Sequence, residues 1–207
     1  MYISKKLVAI NKKLFDQYPI YFPLEDKLTI IIGHNGSGKT KLLESMRYYY
    51  TEQGENVVYF PYPRTLDVTY EEFKKVLEQT ESLVVLNQLS ERGYDLDFIK
   101  KWRLDQIDES VLEQEFKWSY SNYINSGTMQ AINFLTQIMN AGPDVIVMID
   151  FPEISMDNIK RRNFADDMLN LPNVKKLIMV THCPEILGGH REYVWDVENL
   201  VDIQRGQ

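Results

Sequence analysis

The chain has 207 residues, a formal net charge of −7, one cysteine, and 44% hydrophobic and 26% charged residues. That is the length of one domain with room for a core, and the composition of an ordinary globular protein, not a disordered chain. The acidic balance argues against a generally basic surface for nucleic acid or anionic membrane. Cys183 has no second cysteine to pair with, and no apolar run approaches a bilayer span or a signal peptide, so a cytoplasmic protein without membrane insertion is expected.

In chain order, residues 1–24 mix short apolar stretches with Pro19 and Pro23 and suggest antiparallel strands. Leu28 to Ile32, rich in β-branched residues and ended by glycine, reads as a buried strand. Lys39 to Tyr50 places Leu42, Leu43 and Met46 on one helical face, and Val57 to Phe60 is a strand closed by Pro61 and Pro63. Thr69 with Glu72 is a capping-box signal ahead of Phe73, Val76 and Leu77 at helical spacing. Leu83 to Leu86 suggests a strand, and Leu96 to Tyr123 is polar and helical in pattern, with Trp102, Phe116 and Trp118 interspersed.

The second half alternates more regularly. Met129 to Asn140 reads as a helix broken by Gly142 and Pro143, and Val145 to Ile149 as a strand ending at Asp150. Asp157 to Leu171 is helical in pattern and stopped by Pro172; Leu177 to Val180 is a strand running into Thr181 and His182; Glu192 to Ile203 suggests a closing hairpin. Alternating strands and helices imply an α/β fold with a mostly parallel sheet flanked by helices. One domain over 1–207 is expected, with an N-terminal antiparallel portion and a small helical insert at about 65–125.

Gly33-His34-Asn35-Gly36-Ser37-Gly38-Lys39-Thr40 satisfies G-x-x-x-x-G-K-[ST] between a strand and a helix. Glycines let successive N–H groups turn toward phosphate oxygens, and the following helix presents its positive end to the same anion. Lys39 is expected to reach the β- and γ-phosphates and the Thr40 hydroxyl to ligate Mg²⁺, so ATP with Mg²⁺ is the expected ligand. Asp150, at the end of an apolar strand, is the matching candidate for the second metal oxygen.

Ser126-Gly127-Thr128-Met129-Gln130 opens a helix, Phe151-Pro152-Glu153-Ile154-Ser155-Met156-Asp157 follows Asp150, and Thr181-His182-Cys183-Pro184-Glu185 follows a later strand. With the glycine loop, these segments resemble, in order, the S-G-x-x-Q signature, the D-loop and the His switch of soluble ABC-type P-loop ATPases. That SMC-like and OLD-like group includes DNA-repair ATPases and small ATPases that accompany phage-defence effectors. The resemblance implies a P-loop NTPase of ABC type in which two subunits pair head to tail. Ser126, Gly127 and Gln130 of one chain would then complete the nucleotide site of the other, with His182 sensing the γ-phosphate.

Two departures matter. The resemblance puts a catalytic Glu after Asp150, where Phe151 stands, leaving Glu153 as the nearest carboxylate. The glutamine expected after Val57 to Phe60 is replaced by Pro61 and Tyr62, with Arg64 or Gln88 as substitutes. The reading implied is a nucleotide-dependent dimerisation switch with slow or partner-dependent hydrolysis, regulating a separate effector through which nucleic acid is reached. The nucleotide-binding subunit of a membrane transporter and a non-hydrolysing ATP-bound scaffold are the alternatives. Tyr48 to Tyr50 and the Lys160-Arg161-Arg162 triplet fit core or partner contact and a solvated helix face better than base or DNA contact.

Overall fold

The computed structural model describes residues 7–10, 20–23, 26–63, 68–79, 127–154 and 156–198, with a few helical positions between 84 and 117. Strands β1 (Leu7–Ile10) and β2 (Ile20–Pro23) form an antiparallel pair, as the N-terminal pattern implied. The main sheet holds five parallel strands: β3 (Leu28–Ile32), β4 (Val57–Phe60), β5 (Val145–Asp150), β6 (Val174–Val180) and β7 (Val194–Asp196). Their order is β4-β5-β6-β3-β7. All six residues of β5 are buried, which is why VIVMID is apolar without alternation: a central parallel strand is covered on both faces.

Period-two alternation decides which helix each strand residue meets. Ile31, Ile146, Met148, Ile178 and Val180 pack against Leu42, Leu43, Met46 and Tyr50 of α1 (Lys39–Glu52). Their neighbours Ile30, Val147, Ile149, Leu177 and Met179 share the other core with α2 (Tyr70–Glu78), α3 (Gly127–Asn140) and α4 (Asn158–Leu169). The Phe134 ring sits edge-on to Phe60 at 4.6 Å and to Phe164 at 5.8 Å, joining β4, α3 and α4. Burying a ring of this size is worth about 1.5–3 kcal/mol over leaving it in water.

Local chemistry sets the boundaries. Thr69 and Glu72 form the expected reciprocal cap: the Glu72 N–H donates to Thr69 Oγ1 at 3.2 Å and the Thr69 N–H to Glu72 Oε2 at 2.8 Å. Asp157 lies just outside α4 and accepts from the N–H groups of Ile159 and Lys160. The hydrogen-bonded Lys160 ammonium first, and then those backbone bonds, hold its carboxyl below the usual range. Phe116 is buried and stacked on Phe73 at 5.4 Å, so this ring of the polar stretch belongs to the core.

Two expected elements differ. Val84 is helical and exposed, not part of a strand; an apolar run this short does not separate the two states by periodicity. The hairpin expected over 192–203 is, as far as residue 198, a 3₁₀ turn (Arg191–Tyr193), strand β7 and the start of a helical turn. β7 runs parallel to β3, pairing Ile30 with Val194 and Ile32 with Asp196, because the open edge of β3 satisfies its ladder. Residues 199–203 and the tryptophans 102 and 118 lie outside the described residues. Among the described residues, no helix is long and apolar enough to cross a membrane.

Candidate functional site

The strand register brings the informative residues to one edge of the sheet. Ile31 and Asp150 both pair with Val180 of β6, so the glycine loop, Phe151 and Thr181 leave the sheet at one level. The chain after β3 passes to the face covered by α1, while the chain after β6 passes to the face where Ile186 packs near α4. Adjacent strands sending their connections to opposite faces open a crevice at their carboxyl ends. A cavity of about 310 Å³ lies there, lined in part by Gly33, His34, Thr181, His182, Asp196 and Glu198.

Glycine is required in the loop for two reasons. A Cβ on Gly33 would sit 2.7 Å from Ser37 Oγ. Gly38, at φ 92, is the left-handed N-cap of α1 and offers no side-chain cap, so the first-turn N–H groups of a 14-residue helix remain open to an anion. His34, Asn35 and Gly36 are exposed, and Ser37, Gly38 and Thr40 are half-buried.

Lys39 is 4% exposed and folds back over the loop, donating to the carbonyls of Gly33 at 2.9 Å and His34 at 2.7 Å. Burial lowers the pKa of its ammonium, against the opposing pull of Asp150 and Glu198. Thr40 Oγ1 donates to Asp150 Oδ2 at 2.9 Å, across 110 positions of sequence, and Asp150 is 1% exposed. The sequence placed both oxygens in one role, and the fold brings them into contact.

Phe151 departs from ordinary backbone geometry. Its φ is 52°, a left-handed conformation that costs an aromatic residue on the order of 1–2 kcal/mol. The turn swings its ring flat against His182, with centroids 4.9 Å apart and planes 14° apart, while Tyr62 meets Phe151 edge-on at 5.7 Å. An aromatic row thus crosses the ends of β4, β5 and β6. Glu153 turns back so that Oε1 accepts the His182 backbone N–H at 3.1 Å, and its buried Oε2 has no partner among the described residues. Burial, and then Lys39, lower the His182 pKa against the opposing effect of Glu153, favouring the neutral ring.

The signature segment lies elsewhere. Gly127 and the buried Gln130 open α3, while its other end is tied to the base of the sheet by Asn173 Nδ2 donating to the Ile138 carbonyl. Helix α3 spans about 21 Å at 1.5 Å per residue, so its first turn points toward the loop's edge of the sheet, on the face opposite α1. Ser126, Ser155 and Arg64 lie outside the described residues, and Gln88 is an exposed helical position.

Sequence reasoning missed the acidic wall of the cavity. Glu198 accepts the His34 N–H at 3.1 Å and stands 3.5 Å from His34 Nε2, while its own N–H donates to Asp196 Oδ1. Nothing local in V-W-D-V-E announces this, since the contact exists only because β7 pairs with β3. Among the described residues, no group of three or more His, Cys, Asp or Glu side chains is placed to hold a metal. No protein-family model matches the chain, and no curated protein matches it either.

Proposed function

We propose that the chain binds ATP with Mg²⁺ on Gly33 to Thr40 and works as a dimerising switch of ABC type with slow hydrolysis. The observation that carries this reading is the Thr40–Asp150 bond at the base of the loop. It unites the two oxygens that the chemistry asks to share one Mg²⁺, beside a lysine poised over an uncapped helix start. A site with two protein oxygens suits Mg²⁺, which keeps several waters and takes the rest of its shell from phosphates. Bound there, the ion neutralises charge between phosphate oxygens.

On this reading Lys39 exchanges the Gly33 and His34 carbonyls for phosphate oxygens. His182, held neutral, faces the γ-phosphate as a hydrogen-bonding partner. Phe151 puts an apolar ring next to it where a carboxylate would orient water, leaving Glu153 to act from further back. Ser126 and Gly127 serve the loop of a second chain, because α3 begins on the far face from α1, whereas Gln130 is buried and belongs to the interior of its own chain. The output then passes to a separate effector.

Two outcomes are expected. Light scattering with saturating ATP and Mg²⁺ gives the mass of a dimer, and without nucleotide that of a monomer; an unchanged mass contradicts the switch. Glu198→Gln removes a negative charge at the mouth of an anion site, worth about 1 kcal/mol in partly wet surroundings. ATP affinity measured by calorimetry therefore rises about fivefold. A fall in affinity would mean that the contact with His34 serves instead to order the loop.

A further inference from the structure

Strand β3, which carries the glycine loop, lies between β6 and β7. Ile31 pairs with Val180, and His182 follows two residues later; Ile32 pairs with Asp196, and Glu198 follows two residues later. The two side chains therefore flank the loop from opposite sides, and both line the cavity of about 310 Å³. Asp196 Oδ1 holds the turn after β7 by accepting the Glu198 backbone N–H at 3.0 Å.

The Glu198 carboxylate and the Lys39 ammonium hold the two ends of one residue. Glu198 Oε1 accepts the His34 N–H at 3.1 Å, and Lys39 Nζ donates to the His34 carbonyl at 2.7 Å. On the proposed reading Lys39 marks where the β- and γ-phosphates come to rest, so Glu198 lies one residue away from that position. Its side chain is 41% exposed, and Oε2 stands 3.5 Å from the exposed ring of His34, so water reaches it.

Transfer of a phosphoryl group to water needs the water positioned and a group to take its proton. Phe151 cannot take one. Asp150 is 1% exposed and is engaged by the Thr40 hydroxyl. Glu153 has Oε1 on the His182 backbone N–H and Oε2 buried, so it acts through the placement of His182. Among the described residues, the carboxylates that line the cavity are Asp196 and Glu198, and Asp196 holds the turn that presents Glu198.

We propose that Glu198 is the carboxylate that orients the attacking water and accepts its proton, delivered from the end of β7 and not from the end of β5. The proposal rests on the nucleotide reading and adds the proton acceptor to it. The water oxygen forms a bond to the γ-phosphorus as the bond from that phosphorus to the β–γ bridging oxygen breaks. The electron pair of the broken bond leaves with ADP. One water proton passes to Glu198, which returns it to solvent at the cavity mouth. The same carboxylate repels the incoming phosphates, so it opposes binding while it favours chemistry. A side chain that only tethers the loop would not split the two in this way.

The test measures binding and chemistry separately on the full chain. Calorimetry gives the ATP affinity, and single-turnover release of labelled phosphate at saturating ATP and Mg²⁺ gives the rate. Glu198→Gln keeps an oxygen for the His34 N–H and removes the proton acceptor. It is expected to bind ATP about fivefold more tightly and to release phosphate about a hundredfold more slowly. In Glu198→Ala, added formate restores part of the lost rate, whereas formamide, of the same shape, does not, because only formate takes up a proton. A Glu198→Gln rate within about threefold of wild type overturns the proposal, as does a formate effect no larger than that of formamide. ATP bound by the wild-type chain with no phosphate released overturns the proposal while leaving the nucleotide reading in place. No saturable ATP binding to the wild-type chain overturns both.

Discussion

Lys39→Ala is expected to weaken ATP binding by about two to three orders of magnitude. Truncating one partner of a buried charge-assisted contact costs about 2–5 kcal/mol, and each 1.4 kcal/mol is tenfold in affinity. The size follows from burial: Lys39 is 4% exposed and its ammonium is held above the loop by two carbonyls, so bulk water screens it only weakly from an arriving phosphate. The same substitution strips two loop carbonyls of their donor and removes a buried charge, effects of opposite sign on stability. A thermal melt of the variant therefore accompanies the titration. Affinity within threefold of wild type, in a folded variant, would remove Lys39 from the phosphate site.

Phe151→Glu is expected to speed phosphate release by about a hundredfold at saturating ATP while weakening ATP binding about fivefold, since the new carboxylate repels the phosphates as Glu198 does. A positioned base contributes about 10²–10⁴ in rate, and the lower figure applies because the loop did not evolve around a carboxylate. The backbone already holds residue 151 at φ 52°, so the new side chain inherits the aim of the ring it replaces. Phe151→Gln is the control: it has similar size and no charge, and no acceleration is expected from it. Equal rates for the two variants and wild type, measured by release of labelled phosphate, would show that the ring is not what limits turnover. Undetectable release in all three would favour the non-hydrolysing scaffold.

The legible parts of the molecule were those fixed by neighbours in sequence. The glycine loop could be read because its glycines, Lys39 and Thr40 act within one strand–turn–helix unit, and the Thr69 cap because both partners lie within one helical turn. Asp150 was legible from the buried strand that carries it. What escaped depends on strand order. The contact of Glu198 with His34 requires β7 to lie beside β3, and a segment that alternates well enough for a hairpin gives no hint of that partner. The stacking of Phe151 on His182 needs both the parallel register of β5 with β6 and a left-handed turn at a residue that rarely adopts one. The sequence flagged Phe151 as a missing carboxylate; the fold adds that its ring lies against the histidine expected to face the phosphate.

The central claim is that Gly33 to Thr40 is a cradle for a magnesium-bound triphosphate, and titration of the wild-type chain with a non-hydrolysable ATP analogue tests it most directly. Calorimetry with and without Mg²⁺ should give one saturable site per chain that weakens sharply when the ion is withdrawn. Hydrogen exchange on the same sample should slow across residues 33–40. No saturable heat at millimolar nucleotide, or saturable binding that leaves exchange in this loop unchanged, would contradict the account.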